Sequence, residues 1–295
     1  MNLLVIGRSG QVAQSLAALA STARPDTHFA GRPEIDLLEA GSAARFIAER
    51  APSLVINAAA YTAVDRAETE RDEAMRINGS AVGEIGEAAA RIGAPVIHLS
   101  TDYVFDGAAL GAIPEDTRIA PINFYGASKA AGEEALRRAQ PDHLILRTSW
   151  VYSRFGANFV KTMLRLAAEH DELRVVDDQR GRPTSAHDLA AALLKLADAR
   201  AADTARNWGA TYHVAGEGAC TWADFASHVF AVSAKLGGPS ARVIPIASAE
   251  FPTPARRPDN SELDCIAAAE RLSIRLPPWR QSVEATVTQL LRQTR

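Results

Sequence analysis

The sequence predicts a parallel α/β sheet with helices on both faces, a doubly wound architecture, joined to a smaller and less regular C-terminal lobe. Three observations predict it. Short apolar runs of buried-strand type recur at 3–6, 54–56, 96–99, 144–146 and 211–214. Between them lie Ala/Glu/Arg-rich stretches of helical composition, such as AVGEIGEAAARIG and SKAAGEEALRRA, and that alternation calls for a parallel sheet covered on both faces. From about Pro239 the chain becomes rich in Pro and Arg, and IPIASAEFPTPARRPDNSEL carries neither the helical nor the strand period. The chain is therefore expected to divide into a main-sheet domain, 1–150, and a second lobe, 151–295. A returning segment near 205–218 brings the run 211–214 back to the main sheet.

Composition narrows the function classes. The 295 residues carry 32 basic and 35 acidic side chains, net −3, so no overall field draws the chain to nucleic acid or an anionic membrane. With 47% hydrophobic and 23% charged residues the chain is globular rather than disordered. Runs such as LLVIG and SLVIN fall far short of the ~20 residues of a membrane span. Cys220 and Cys265 form no CxxC, and no basic-then-apolar leader precedes them, so a reducing cytoplasm is expected.

The first strand meets Gly7 directly, and Val12, Leu16 and Leu19 follow at helical spacing, giving strand, tight turn and helix. In Gly7-Arg8-Ser9-Gly10-Gln11-Val12, backbone N–H groups and the positive end of the helix suit a pyrophosphate. Gly7 permits the turn, Gly10 lets phosphate approach the backbone, and Ala13 keeps helix and strand close. The spacing is GxxGxxA rather than GxGxxG, and two turn glycines of an ordinary α/β protein remain the plain alternative. A Walker loop lacks its Lys-Ser/Thr here, and GRSGQ lacks the last glycine of a nucleophile elbow. The second strand, THFAGR, ends about 20 residues beyond the loop, where Arg suits a ribose 2′-phosphate. Arg32 there favours NADPH, with NADH also possible, against the alternative of a solvated surface Arg. Asp36 reaches the adenine or nothing at all.

Tyr125 and Lys129 in YGASK lie one helical turn apart on one face. A cation beside the phenol is expected to lower its proton affinity, so that Tyr125 gives a proton to a developing alkoxide while Lys129 also holds ribose hydroxyls. The small residues between them let this helix press against the sheet edge. Thr101, preferred over Ser100, closes the strand VIHLS where doubly wound sheets bind ligands; a helix cap is its ordinary alternative. Trp150 follows the strand LILRTS and either walls off a sugar or packs between lobes. Arg256 and Arg257 either clamp a diphosphate or are solvated. Tyr61 and Asp65 either bind in a strand-end loop or form a plain turn. The seven His residues show no HExxH or close pair, so no catalytic metal is expected.

Together these residues resemble the extended short-chain dehydrogenase/reductases, specifically the dTDP-4-dehydrorhamnose reductase family, over nearly the whole chain. The blocks are GRSGQVA, INAAAYTAVDRAE, LSTDYVFDG, APINFYGASKAAGE, LRTSWVYSRFGANFVKTM, DDQRGRPT and RRPDNSEL. The resemblance implies a Rossmann domain with a sugar-nucleotide lobe and Thr101, Tyr125 and Lys129 as a catalytic triad. It implies Gly7, Gly10, Gln11 and Val12 on the pyrophosphate and Ala58, Ala59, Ala60 and Tyr61 beside adenine and ribose, with Asn78 supporting that region. Tyr103, Val104, Phe105 and Trp150 would face the deoxysugar, with DQRGRPT and RRPDNS, Arg257 included, approaching the dTDP moiety. The implied reaction is NAD(P)H-dependent reduction of a 4-keto-6-deoxy sugar nucleotide, by a monomer or a homodimer. Three departures stand out: Ala13 for a glycine, Arg180 and Arg182 where relatives are apolar, and Ser15 where some relatives carry an acid tied to a magnesium-linked dimer, which leaves magnesium open. Rival readings are an epimerase, a dehydratase, disfavoured because Tyr103 follows Asp102 in place of a second acid, and a non-catalytic NADP-binding regulator.

Overall fold

The computed structural model describes residues 2–24, 26–202 and 207–293. Six short strands carry the main sheet: β1 (Leu3–Ile6), β2 (Thr27–Ala30), β3 (Leu54–Asn57), β4 (Val96–Thr101), β5 (His143–Thr148) and, from far along the chain, β10 (Ala210–His213). Every neighbouring pair is parallel, and the order is β10-β5-β4-β3-β1-β2. The chain therefore leaves β1 toward one edge through β2 and then crosses back to build the other side from β3 onward. That reversal between β1 and β3 opens a crevice at the carboxyl ends of the strands. The return of β10 agrees with the expected run 211–214, whereas positions 205 and 206 of the expected returning segment lie outside the described residues.

Alternation along each strand sorts the apolar side chains onto two faces. Leu3, Val5, Leu54, Ile56, Leu144 and Leu146 pack beneath α1 (Gln11–Ala23) and α7 (Ala186–Ala201). Leu4, Ile6, Val55, Val96 and Ile145 pack against α2 (Ser42–Arg50), α4 (Ala81–Arg91) and α5 (Phe124–Ala139). Each such fully buried side chain contributes roughly 1.5–3 kcal/mol of transfer free energy. A short helix, α3 (Arg71–Met75), enters α4 through a π-helical turn at Arg76–Ser80.

The region expected as a second lobe is more regular than its composition suggests, and part of it, α7 with Ala268, Ile274 and Leu276, packs in the core of the main sheet instead. Its own core gathers Tyr152, Val160, Phe225, Val229, Trp279, Val283 and Val287 from β6 (Val151–Tyr152), α6 (Phe159–Ala167), α8 (Trp222–Lys235) and α10 (Trp279–Gln293). The segment expected to lack a period contains β12 (Arg242–Ile246), which pairs in parallel with β7 (Glu172–Val176). Pro245 hid it: a strand in a two-stranded ribbon has a free edge, where the missing N–H of proline does no harm. The remaining pieces are β8 (Arg180–Gly181), β9 (Thr184–Ser185), β11 (Cys220–Thr221), β13 (Asn260–Ser261) and α9 (Ile266–Leu272). No helix among the described residues is long and apolar enough to cross a membrane.

Candidate active site

The crevice floor is the glycine turn. Gly7 sits at φ +128°, and a Cβ there would stand 3.2 Å from the Ala58 carbonyl carbon, so only glycine fits both the conformation and the space. Its N–H donates to the Ala30 carbonyl at 2.8 Å, and the Ala58 N–H donates to Ile6 at 2.9 Å, which pins the ends of β1, β2 and β3 together. Gly10 opens α1 with no side-chain cap. The first-turn N–H groups of Gln11 and Val12 therefore lack intrahelical partners and face outward, the arrangement that receives an anion at a helix N-terminus. The Gln11 side chain is engaged elsewhere, donating to the Val151 carbonyl at 3.3 Å and accepting from Ser153 and Asn158 at 3.0 Å each. It ties the turn to residues 151–158.

Just past the end of β2, Arg32 is exposed, as are Ser9 and Gly10 on the glycine turn. The half-exposed Arg8 pairs with Glu34 at 2.9 Å. Asp36 accepts the Leu38 N–H at 3.0 Å, so its carboxylate closes a local turn. Beyond β3, Ala58, Ala59 and Ala60 are half-buried along the crevice wall. Asn78, in the π-helical turn, accepts the Tyr61 N–H at 2.8 Å and donates to the Tyr61 carbonyl and to Ser128 at 3.0 Å each. One buried amide thus fixes this loop to α5. The Tyr61 ring turns into a small core with Ala67 and Ala74, its hydroxyl donating to Glu70, and burial pushes that phenol up to about 12.

Thr101 ends β4, and Tyr125 and Lys129 occupy the first two turns of α5. That helix is capped by Asn123, whose Oδ1 accepts the Gly126 N–H at 2.8 Å while its amide donates to the Arg256 carbonyl at 2.8 Å. A Cβ at Gly126 would stand 2.0 Å from the Tyr103 carbonyl oxygen, so the helix runs directly against the loop that follows Thr101. The Tyr125 phenol faces Thr101, and its ring meets Tyr103 edge-on at 5.8 Å. Thr101 accepts the Tyr103 N–H at 3.2 Å and donates to Asp102 at 2.9 Å. Burial raises Asp102 to about 6, and its second oxygen has no hydrogen-bond partner. Lys129 is buried; its amine lies 2.7 Å from the Leu99 carbonyl and 3.2 Å from His98 Nε2. Burial lowers it to about 8 and holds the Tyr125 phenol above its ordinary range. The expected depression of the phenol by Lys129 is thus absent from this geometry, because the amine is directed to β4.

A second buried cluster escaped the sequence reading. Glu133, one turn beyond Lys129, takes a bidentate pair from Arg147 at 2.9 and 2.7 Å and a hydrogen bond from Ser100 at 2.6 Å. Arg147 also lies over the Phe105 ring at 5.0 Å. Two charges in water-free surroundings survive only as such a satisfied pair, and this one clamps α5 to β4 and β5. The signal in the sequence was an Arg inside the apolar run LILRT.

The second lobe closes the crevice. Arg257 grips Asp65 through both nitrogens at 3.0 and 2.9 Å, which holds Asp65 below the usual carboxylate range. Arg257 also reaches the Tyr103 hydroxyl. Trp150 adopts a left-handed backbone, φ +48°, and its half-buried indole stacks on Trp222 at 3.5 Å and lies flat against Gly181, where any Cβ would clash with the ring.

The model of the RmlD substrate binding domain family matches residues 1–292. The dTDP-4-dehydrorhamnose reductase of Sinorhizobium fredii is 47% identical over 99% of this chain and 98% of its own length. The chain belongs to the dTDP-4-dehydrorhamnose reductase family. The crystal structure of the Clostridium acetobutylicum member superposes with a TM-score of 0.91 at 34% identity, covering 99% of this chain and 100% of that one. That of Bacillus anthracis, solved in complex with NADP, gives 0.89 at 34% identity over 97% of this chain and 98% of its own.

As a member of this reductase family the chain is an oxidoreductase, and its structure gathers Thr101, Tyr125, Lys129, Tyr103 and Arg257 around one crevice. Val104 and Phe105 require correction. Their side chains are 0% and 1% exposed and pack with Ile113 and Leu263, so they anchor the loop instead of facing a sugar. Ser15 is buried and donates back to the Gln11 carbonyl at 2.8 Å. Arg180 pairs with Glu262 at 2.8 Å, and Arg182 lies 3.7 Å from the same residue. Among the described residues no group of three His, Cys, Asp or Glu side chains converges as a metal site would require.

Proposed function

We propose that this protein reduces dTDP-4-dehydro-β-L-rhamnose to dTDP-L-rhamnose with NADPH, the last step of dTDP-rhamnose biosynthesis. One observation carries the reading: Thr101 closes β4, Tyr125 and Lys129 lie on α5 packed against it, and the uncapped glycine turn follows β1 at the same carboxyl edge of the sheet. The residues present fit a dinucleotide, since the N–H groups opening α1 are free and the close approach of Gly7 to Ala58 leaves the turn open to phosphate. Arg32, exposed at the end of β2, is the residue proposed for a 2′-phosphate, and Ala58–Ala60 are proposed to line the adenine and ribose side.

When bound, the cofactor supplies the hydride for the keto carbon. Tyr125 holds the proton that the keto oxygen takes up, and burial keeps that phenol protonated across the neutral range. Thr101 is placed to donate to the same oxygen once its hydroxyl turns from Asp102. Tyr103 and Trp150 are proposed to flank the sugar and Arg257 to receive the diphosphate side, where a planar guanidinium suits paired oxygens.

Mixing the protein with NADPH and dTDP-4-dehydrorhamnose is expected to consume NADPH with one equivalent of reduced sugar formed. Tyr125→Phe is expected to cut turnover by ~10²–10⁴ with the cofactor still bound. Isomerised sugar without NADPH loss would instead identify an epimerase.

A further inference from the structure

Between the glycine turn and the triad runs a line of buried polar groups that the reaction described above does not use. Asn57 ends β3, His98 sits in the middle of β4, and both are 0% exposed; Lys129 is 1% exposed. The Ala59 N–H donates to Asn57 Oδ1 at 3.2 Å. Asn57 Nδ2 lies 3.1 Å from His98 Nδ1, His98 Nε2 lies 3.2 Å from the Lys129 amine, and that amine lies 2.7 Å from the Leu99 carbonyl.

Hydrogen-bond direction can be followed from one end. A backbone N–H only donates, so the atom of Asn57 facing Ala59 must be its oxygen, and the amide nitrogen must face His98. That nitrogen also only donates, so His98 Nδ1 carries a lone pair. Imidazole buried here stays neutral, since desolvation alone pushes His98 well below its ordinary value. A neutral ring with a bare Nδ1 carries its hydrogen on Nε2. That hydrogen points at the lysine nitrogen, which must offer a lone pair in return.

We propose that Asn57 and His98 are positioning residues that hold Lys129 as an uncharged amine in the ligand-free enzyme, with the imidazole donating to it and the amine donating to Leu99. This rests on the reading of Lys129 as a member of the triad. The charge that this lysine contributes to catalysis is therefore acquired on binding or turnover, not carried at rest. Burial acts in the same direction, lowering Lys129 to about 8, and the hydrogen donated by His98 is the further push that makes the free amine the resting form at neutral pH. The other ionisable groups around the chain are Glu133 on α5, which favours the ammonium but is neutralised by Arg147 on β5, and His143 on β5, which acts on His98.

The chain has four lysines, Lys129, Lys161, Lys195 and Lys235, so side-chain labelling resolves each by NMR in the ligand-free protein. His98 is expected in the Nε2–H form by its ¹⁵N shifts, with Lys129 titrating below pH 7 while the other three remain ammonium. Asn57→Asp keeps the acceptor for Ala59 but turns the amide donor into a second acceptor. It is expected to move the hydrogen of His98 to Nδ1 and raise the Lys129 titration by more than one unit. The alkaline limb of kcat/KM should follow Lys129 upward, a shift that a purely structural role of Asn57 would not produce. An Nδ1–H ring in the wild type, or a Lys129 that is still ammonium at pH 7, overturns the proposal, and both are read even if the variant fails to fold. These spectra need no substrate, so absent turnover with the predicted spectra would strike the reductase reading and leave the proton arrangement standing.

Discussion

Asp102 is the residue on which the site's chemistry and the protein's stability meet. Its carboxyl is buried and one oxygen lacks a partner, so the folded chain prefers it protonated, at about 6 against an ordinary 3.8. Below pH 3.8 both folded and unfolded chains carry the proton and the group costs nothing. As pH rises from there to about 6 the unfolded chain releases the proton first, and stability falls, reaching a loss of roughly 3 kcal/mol above that window. Asp102→Asn retains an acceptor for Thr101 and carries no charge. It is expected to unfold at higher temperature than the wild type at pH 7–8, with the gain shrinking to nothing near pH 4. A variant less stable at pH 8, or equally favoured at both pH values, would show that the carboxylate is held ionised by groups other than Thr101. Tyr125 and Lys129 were legible as a pair because the helical repeat puts them one turn apart. What their spacing could not convey is direction: the amine points to Leu99 and His98, a contact set by how α5 lies on β4.

Elements place these side chains through close approach. Helix α5 reaches Tyr103 only because Gly126 has no side chain, a Cβ there standing 2.0 Å from the carbonyl oxygen. Gly126→Ala must push α5 from the β4 loop. A cost of about 1–3 kcal/mol in stability is expected, with kcat/KM reduced by ~10-fold or more, since displacements of about 1 Å at a reacting group are expensive. Thermal unfolding and steady-state kinetics measure both, and an unaffected kcat/KM would mean that α5 does not set the position of Tyr125. The strands of the main sheet were readable because each is a short apolar run bounded by turn residues. The strand at Arg242–Ile246 was not, because Pro245 and its exposed edge remove the pattern that burial on both faces would write. The same logic explains why His98, Glu133 and Arg147 passed unnoticed: single polar residues in apolar segments, whose partners lie on other elements.

The molecule as a whole works through two lobes meeting over a parallel sheet. Asp65, in the loop after β3, and Arg257, almost two hundred residues later, form the clearest bond between them, with the Asn123 amide on the Arg256 carbonyl beside it. Arg257 lies at once against Asp65 and Tyr103, so its loss is expected to loosen the sugar-nucleotide side of the crevice and spare the cofactor side. Arg257→Ala should raise KM for the sugar nucleotide roughly tenfold, about 1.4 kcal/mol, with cofactor affinity within about twofold of the wild type. Equal losses for both ligands would place Arg257 in the scaffold instead of at the substrate. The family resemblance was legible in sequence blocks such as LSTDYVFDG. Which of those residues touch the crevice and which support it was not: Val104 and Phe105 face inward, whereas Asp65 and Arg257 find each other only in the fold.

If hydride is delivered to the sugar ketone in the crevice above the glycine turn, the cofactor's own hydrogen ends on the sugar. NADPH carrying deuterium at the transferable position of its nicotinamide, incubated with the protein and dTDP-4-dehydrorhamnose, tests it most directly, with the product examined by NMR. One deuterium at C4 of the sugar is expected for each NADPH consumed. A product with hydrogen alone at C4, or a sugar rearranged while the cofactor remains reduced, would contradict it.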